Sequence, residues 1–248
     1  MRLFAHELVA QQRVFWRSRE AALFVFLFPL LLYVLLGSVY NGKIDGVPAA
    51  QALLAGLIGY GCANTAFAGL AIQLVGRREL GILKRLRATP LPTATYIAAT
   101  LASTFVVFAI QTVCLVLLGR VAYGTTLPHA VGSFALAVVV GAVAFAALGV
   151  AAASLIRSAE GSSAVVNFIL LPMAFLTGSF GPTRRYPTVL RGIGDVLPLK
   201  YYLDVVDAVY LHSRGIWTQP RALGILAAWG ATGLVVSALK FRWEPREQ

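Results

Sequence analysis

Apolar and polar residues along this chain are arranged in long blocks. Six runs of 18 or more residues contain no Asp, Glu, Lys or Arg: 21–42, 46–76, 88–119, 121–156, 161–183 and 222–239. A helix needs about 20 apolar residues to cross a bilayer, and a charge near its centre costs about 2.5–3.5 kcal/mol on insertion scales. The pattern therefore predicts six transmembrane helices, at about 21–40, 50–75, 94–118, 130–156, 161–178 and 222–240.

The runs are continuous, whereas the strands of a transmembrane barrel alternate polar and apolar residues over about ten positions. The composition agrees with membrane helices, since 58% of residues are hydrophobic and only 12% are charged. A water-soluble fold of this size could not bury that many apolar side chains. The sequence thus predicts an all-α integral membrane protein, with one transmembrane domain over residues 1–248. We expect the first run to be retained as a span, because it is longer than the apolar region of a signal peptide.

Basic residues are concentrated in alternate connections between these spans. Thirteen of the 21 Lys and Arg lie in the amino-terminal segment, the second and fourth connections and the tail. By the positive-inside rule both termini are predicted to be cytoplasmic. The net charge of +11 is then explained by orientation and by anionic lipid headgroups, so no nucleic-acid partner is expected. Six of the other eight basic residues fall in the fifth connection, which breaks the pattern.

Two segments outside the spans are amphipathic. Residues 2–20 predict an interfacial helix with a broad apolar face, and the alternative is a plain cytoplasmic extension of the first span.

Within residues 77–90, Leu80, Leu83 and Leu86 recur every third residue, which predicts a short helix ended by prolines. The alternative is a positively charged loop that only sets topology. The leucine register favours docking into a groove of a protein partner.

The order of residues in this second segment resembles that of a known family. Glu79, Gly81, Leu83, Thr89 and Pro90 stand where the coupling helix of the ATP-binding-cassette type-2 (ABC-2) exporter permeases has a glutamate, a glycine, a leucine and Thr-Pro. Residues 175–187 and 195–204 are similar to the external hairpin of that family and to the segment that follows it. The resemblance covers essentially the whole chain.

The resemblance implies a permease subunit in the bacterial inner membrane. Its partners would be two ATPase subunits, a second permease protomer, identical or related, and membrane lipids. ATP and Mg²⁺ would bind the ATPase, with no cofactor on this chain. The residues implied in coupling to the ATPase subunit are Arg78, Glu79, Leu80, Gly81, Leu83, Arg85, Leu86, Thr89 and Pro90. Among them, Glu79 and Arg85 would make polar contacts, the three leucines would fill a groove, and Gly81 would permit close approach.

The resemblance also implies a re-entrant hairpin in the outer leaflet over about 179–200. Its helices would be broken at Gly178, Pro182, Pro187 and Pro198. Such backbone at membrane depth needs protein or water to satisfy its polar groups. The alternative is a plain external loop.

Other chemistry is disfavoured by the residues themselves. The stretch 37–44 ends in Ile44 where a phosphate-binding loop needs Ser or Thr, so ATP hydrolysis is expected on a separate subunit. We expect neither catalytic nor metal-binding residues. The spans contain no acidic residue, which disfavours a proton-coupled carrier. In-span Asn64, Thr65 and Asn167 either bond between helices or line a cavity between protomers.

A largely apolar lumen suits hydrophobic or amphiphilic cargo. Drug or antibiotic efflux is therefore the expected function. Export of a lipid-linked glycan or another amphiphile is the alternative within the same architecture, and a non-transporting membrane scaffold is the alternative outside it.

Overall fold

The computed structural model describes residues 2–40, 42–44, 46–89 and 91–241. The α-helices of these residues are α1 (Arg2–Arg17), α2 (Arg19–Val39), α3 (Ala49–Cys62), α4 (Leu70–Glu79), α5 (Ile82–Arg87), α6 (Thr93–Tyr123), α7 (Val131–Leu155), α8 (Ala159–Thr177), α9 (Thr188–Gly194), α10 (Pro198–Val206) and α11 (Pro220–Lys240). Strands β1 (Lys43–Ile44) and β2 (Val47–Pro48) pair antiparallel between α2 and α3. A 3-10 turn, Ile216–Thr218, precedes α11.

Six helical segments of the described chain are long and apolar enough to cross a membrane. They are Ala22–Val39, Ala49–Glu79, Thr93–Tyr123, Val131–Leu155, Ala159–Thr177 and Pro220–Lys240. The prediction of six spans is confirmed. The second span continues to Glu79, four residues beyond the predicted end at 75, because the basic residues at its end bind other helices instead of stopping the helix.

The second span is the centre of the bundle. Helices α3 and α4 are joined without a break by a π-helical segment, Ala63–Gly69. In the most apolar 18-residue stretch of this span 94% of the residues are buried, against 17–56% in the corresponding stretches of the other five spans. Its length of 31 residues and its burial by surrounding helices make it a rod through the protein core. The second span is therefore enclosed by the other helices along most of its length.

Small residues let α7 pack closely on its neighbours. A Cβ at Gly149 would lie 2.7 Å from the carbonyl oxygen of Ala66 in the π-helical segment, and one at Gly233 of α11 would lie 2.8 Å from the carbonyl carbon of Ala147. These are backbone-to-backbone contacts, as in other small-residue helix interfaces. The fourth span is thus held between the central rod and the sixth span.

Helix α1 lies along α6. The side-chain amide of Gln12 donates to the backbone oxygen and to Oγ of Ser103, at 3.0 and 2.9 Å. Apolar side chains on the outside of α1, such as Val14 and Trp16, are about half exposed. The helix ends before Ser18, and its position at a membrane interface stays a prediction.

The segment after α8 packs into the bundle. Gly178, with φ +91°, ends α8, Pro182 lies in the irregular stretch that follows, Pro187 precedes α9, and Pro198 is the first residue of α10. Helical structure continues through a second π-helical segment, Asp207–Leu211, eleven residues beyond the predicted hairpin end at 200. The reason is apolar burial, since side chains of α10 belong to the main core: Leu199, Tyr202, Leu203 and Val206.

Successive spans run in opposite directions, so the bundle has two distinct ends. We call the end with α5, the start of α6 and the α7–α8 connection the junction end, and the opposite end, with α9 and α10, the hairpin end. The end of α11 lies at the junction end, where Phe241 and Tyr96 line the same groove.

Candidate coupling site at the junction end

The segment predicted as one coupling helix over 77–90 is two helices separated by a turn. Helix α4 ends at Glu79, Gly81 has φ +67°, and α5 spans only Ile82–Arg87. A positive φ strains a residue that has a Cβ, so Gly81 provides the break. Thr89 Oγ1 donates to the backbone oxygen of Leu86 at 2.7 Å and closes the end of α5. Pro90 lies outside the described residues.

This break corrects the predicted leucine stripe. Leu80 precedes the turn and is 68% exposed, whereas Leu83 in α5 is fully buried and Leu86 is half-buried. The three leucines do not share one face, because the change of chain direction at Gly81 interrupts the helical register. Leu83 packs within its own protomer, and its predicted place in a groove of an ATPase stays a prediction.

A different set of residues forms the exposed surface of this segment. Glu79, Ala88 and Thr89 are exposed, and so are Leu80, Ile82, Lys84 and Arg85; we call the last four the docking surface. It combines two apolar side chains with two positive charges. Ile82 is not among the predicted site residues, although a helix restarting after Gly81 places it in the exposed first turn.

Arg78 is buried at the end of the central rod. Its guanidinium, in a side chain that is 2% exposed, donates from Nη1 to the backbone oxygen of Ala153 at 2.8 Å and from Nη2 to that of Ile156 at 2.6 Å. A third contact, to the backbone oxygen of Arg157, measures 3.4 Å. The last carbonyls of a helix lack intrahelical partners and carry partial negative charge. Arg78 therefore caps the carboxyl end of α7.

Arg78 is predicted to couple to the ATPase, and in this structure its side chain is buried within its own protomer. A guanidinium inside the protein is tolerated only when its hydrogen bonds are satisfied, and these carbonyls come from 75 to 79 residues further along the chain. No local pattern in the sequence signals such a partner.

Glu79 holds the next helix. Its carboxylate accepts a hydrogen bond from the backbone N–H of Ala159, the first residue of α8. The side chain of Ser158, the N-cap of α8, accepts from Gly161 N–H at 3.4 Å. A carboxylate near a helix amino terminus is favourable because the free N–H groups there carry partial positive charge. Glu79 is thus a long-range cap for α8 and remains exposed to solvent.

Arg77 binds a third helix. Its Nη1 donates to the hydroxyl of Tyr96 at 2.8 Å, and the guanidinium carbon lies 5.9 Å from the centre of that ring. Tyr96 is in the first turn of α6 and is buried. Three consecutive residues at the end of α4 therefore bind α6, α7 and α8. Neither Arg77 nor Tyr96 was among the predicted site residues, and the Arg-Arg-Glu order at a span end is the signal that marks them.

The three in-span polar residues are in two different environments. Asn64 and Thr65 are buried in the π-helical segment of the rod, at 8% and 6% exposure, and Thr65 donates to Gln111 of α6 at 3.1 Å. For Thr65 this matches the alternative of a bond between helices. Asn167 lies on the exposed side of α8 and donates to the backbone oxygen of Ser163 at 2.8 Å. The structure thus separates Asn167 from the other two.

Two apolar grooves run along the bundle. One, of about 600 Å³, lies between α6 and α11 and is floored by α4 and α7. The other, of about 730 Å³, lies between α8 and α11 and extends from Arg157 at the junction end to Pro198 at the hairpin end. Ala, Leu, Val, Ile and Phe dominate both linings, so the grooves suit apolar groups.

The six-span bundle defines a multi-pass membrane protein, and comparison with known proteins gives its class. The ABC-2 type transporter family matches residues 3–211 of this chain. The chain belongs to that family, which confirms the resemblance seen at the coupling segment.

Named relatives are transport permeases. The inner membrane transport permease YhhJ of Escherichia coli (strain K12) is 25% identical over 182 residues, and the same match is found for YhhJ of Shigella flexneri. The alignment covers 70% of this chain and 48% of YhhJ, so the chain spans about half the length of the YhhJ permeases. YvfS of Bacillus subtilis (strain 168), another transport permease, is 23% identical over 204 residues, which covers 82% of this chain and 83% of YvfS.

Proposed function

We propose that this chain is the membrane-spanning subunit of an ATP-driven exporter of hydrophobic or amphiphilic compounds. Two ATPase subunits and a second permease protomer complete the transporter, with ATP and Mg²⁺ bound by the ATPase. The observation that carries the proposal is the docking surface, which lies on the turn and on the short helix α5 at the end of the central rod. Family membership and the transport-permease names of the relatives support it.

The docking surface suits a groove on a protein partner with acidic residues at its rim. Leu80 and Ile82 are 68% and 38% exposed, and these apolar side chains gain stability when a groove removes them from water. Lys84 and Arg85 follow them in α5 and would steer an oppositely charged partner. Closure of the ATPase subunits on ATP would then press on α5, and the rod would carry the displacement towards the hairpin end.

We place the junction end in the cytoplasm of a bacterial cell, with the permease in the inner membrane. The distribution of basic residues supports this orientation, and the inner-membrane name of YhhJ supports the location. The amino terminus and the tail then lie on the same side as the ATPase.

The cargo is proposed from the grooves and the exposed faces. Grooves of about 600 and 730 Å³ with apolar linings fit drug-sized apolar molecules, which favours drug or antibiotic efflux over a strongly polar cargo. Apolar side chains are also exposed on α8, as at Phe168 with 81% and Phe175 with 53% exposure. We assign this face of α8, with Asn167, to the cavity shared with the second protomer.

A charged substitution on the docking surface tests the proposal. Leu80→Asp places a carboxylate on a side chain that is already solvent-exposed, so the permease should fold normally. We expect capture of the ATPase subunits and efflux to fall about tenfold, the loss typical of a central interface residue. Trp217→Asp, an exposed position at the hairpin end, is the matched control and should leave both values unchanged. Normal capture and efflux by well-folded Leu80→Asp protein would exclude α5 as the docking element.

A further inference from the structure

The short connection between α7 and α8 is held from both sides by two neighbouring residues of α4. Three residues, Ile156 to Ser158, separate the two helices. Arg78 binds backbone oxygens on the α7 side of this connection, and Glu79 binds the first N–H on the α8 side. The end of the central rod and the connection between the fourth and fifth spans are therefore one hydrogen-bonded unit.

The charges in this unit match the helix ends that they meet. The positive guanidinium of Arg78 lies at the carboxyl end of α7, and the negative carboxylate of Glu79 lies at the amino end of α8. Both pairings are favourable with respect to the helix dipoles. The charge of each residue therefore suits only the helix end that it binds: Arg78 suits the carboxyl end of α7, and Glu79 suits the amino end of α8.

The position of this unit next to the docking surface gives it a mechanical consequence. Glu79 is followed directly by Leu80, the most exposed residue of that surface. A partner that displaces Leu80 and α5 would also displace Glu79, which binds α8, and Arg78, which binds α7. Coupling between sites is carried by such contiguous networks of hydrogen bonds and rigid helices.

We propose that Arg78 and Glu79 are positioning residues that pass the displacement of α5 to the fourth and fifth spans. The inference rests on the proposed function, since it requires a partner that moves α5. It goes further in assigning the two residues to transmission within the permease and not to contact with the ATPase. Because the carboxylate of Glu79 is solvent-exposed, its contribution to folding is small, and its loss should uncouple the helices in an intact fold.

The first test separates docking from transmission in the transporter purified with its ATPase subunits. For Glu79→Ala we expect ATPase capture to persist while the cargo moved per ATP hydrolysed falls about tenfold, a typical effect of breaking one link in a coupling network. Glu79→Gln keeps an oxygen that accepts from Ala159 N–H and should restore at least about half of the wild-type ratio. Glu160→Ala removes an exposed carboxylate from the first turn of α8 and should have no effect.

Either of two results would overturn the inference. The first is an unchanged ratio of transport to hydrolysis in Glu79→Ala. The second is loss of ATPase capture in Glu79→Ala, which would make Glu79 part of the docking surface. Failure of the proposed function is detected separately, because Leu80→Asp would then keep its ATPase.

A second measurement reads the movement itself. A bimane fluorophore is attached at Leu155→Cys, an exposed position at the end of α7, in a Cys114→Ser background, since Cys62 is buried. A non-hydrolysable ATP analogue should shift the emission in the otherwise wild-type transporter and in Glu160→Ala, but not in Glu79→Ala or Arg78→Lys. An equal shift in all four proteins, or none in the wild-type background, contradicts transmission through these residues.

Discussion

Neighbouring residues at the junction end have very different environments. Arg77 is half-buried and binds one hydroxyl, whereas Arg78 is 2% exposed and binds backbone oxygens at the end of α7. Both arginines look alike in the sequence, as topology-setting charges at the end of a span. They differ because the chain comes back to this end of the bundle some 75 residues later, and its backbone oxygens there bind Arg78. Contacts of that separation leave no local pattern, so the burial of Arg78 is a finding of the structure.

We expect Arg78→Met to be far more destabilising than Arg77→Met. Hydrogen bonds to a charged group contribute about 1.5–3 kcal/mol each, and removal of Arg78 leaves carbonyls at the end of α7 without their guanidinium. The predicted loss of unfolding free energy is about 3 kcal/mol or more for Arg78→Met and about 1 kcal/mol for Arg77→Met. Thermal unfolding of the purified variants in detergent measures the difference, and equal midpoints would contradict the buried cap.

Alanine substitutions at two glycines near the junction are expected to have opposite effects on stability. Gly81 has φ +67°, whereas Gly76 lies inside α4, and no described atom lies within 4 Å of a Cβ built at either position. Gly81→Ala should lower stability by about 1 kcal/mol because of the left-handed backbone. Gly76→Ala should raise it by about 0.5–1 kcal/mol, since alanine favours a helix over glycine. Thermal midpoints that shift in the same direction would show that the turn at Gly81 is not formed.

At the scale of elements, the charge-free runs were sufficient to predict the six spans, because insertion into a bilayer depends on local composition. The coupling segment was predicted less well. A three-residue leucine period suggested one helix over 77–90, but a single glycine turn divides it and leaves α5 with six residues. Beyond the predicted hairpin end at 200, α10 continues into a π-helical segment that is buried against α3 and α7. The burial of this π-helical segment depends on packing against helices far away in the chain, which the local order of residues does not specify.

The packing of α7 on the π-helical segment of the rod gives an element-scale prediction. Gly149→Val introduces two methyl groups and a Cβ where the backbone oxygens of Ala66 and Phe67 already lie within 2.8 Å of the Cβ position. Overpacking of this kind costs about 1–3 kcal/mol, so the variant should unfold at a lower temperature and lose transport. Gly132→Val, near the start of the same helix with no described atom within 4 Å of its Cβ, is the control. Similar unfolding of both variants would argue against close α7–rod packing.

In the whole molecule, the second span is a central rod with the exposed α5 segment at one end and α10 packed against the other. The rod is buried over most of its length, and its junction end is bonded to α6, α7 and α8. Movement of α5 would therefore involve four of the six spans together. The overall class of the protein follows from its composition, whereas this arrangement of hydrogen bonds depends on side chains far apart in the chain.

The orientation of the bundle is itself testable. Single cysteines introduced at Lys84 and at Trp217, in a Cys114→Ser background, are exposed at opposite ends of the protein. In intact cells, a membrane-impermeant maleimide should label the position-217 variant at once and the position-84 variant only after permeabilisation. The reverse order of labelling would place the docking surface outside the cell and exclude contact with a cytoplasmic ATPase.

Contact between the docking surface and an ATPase subunit can be detected by site-specific photo-crosslinking in native membranes. A benzoylphenylalanine residue is placed at Leu80, which is 68% exposed, and in a parallel sample at Trp217, which is 77% exposed. Irradiation is predicted to give a covalent product with the ATPase subunit from position 80 and none from position 217. The absence of an ATPase product from position 80, or an equal product from both positions, would exclude the docking surface as the contact with the ATPase.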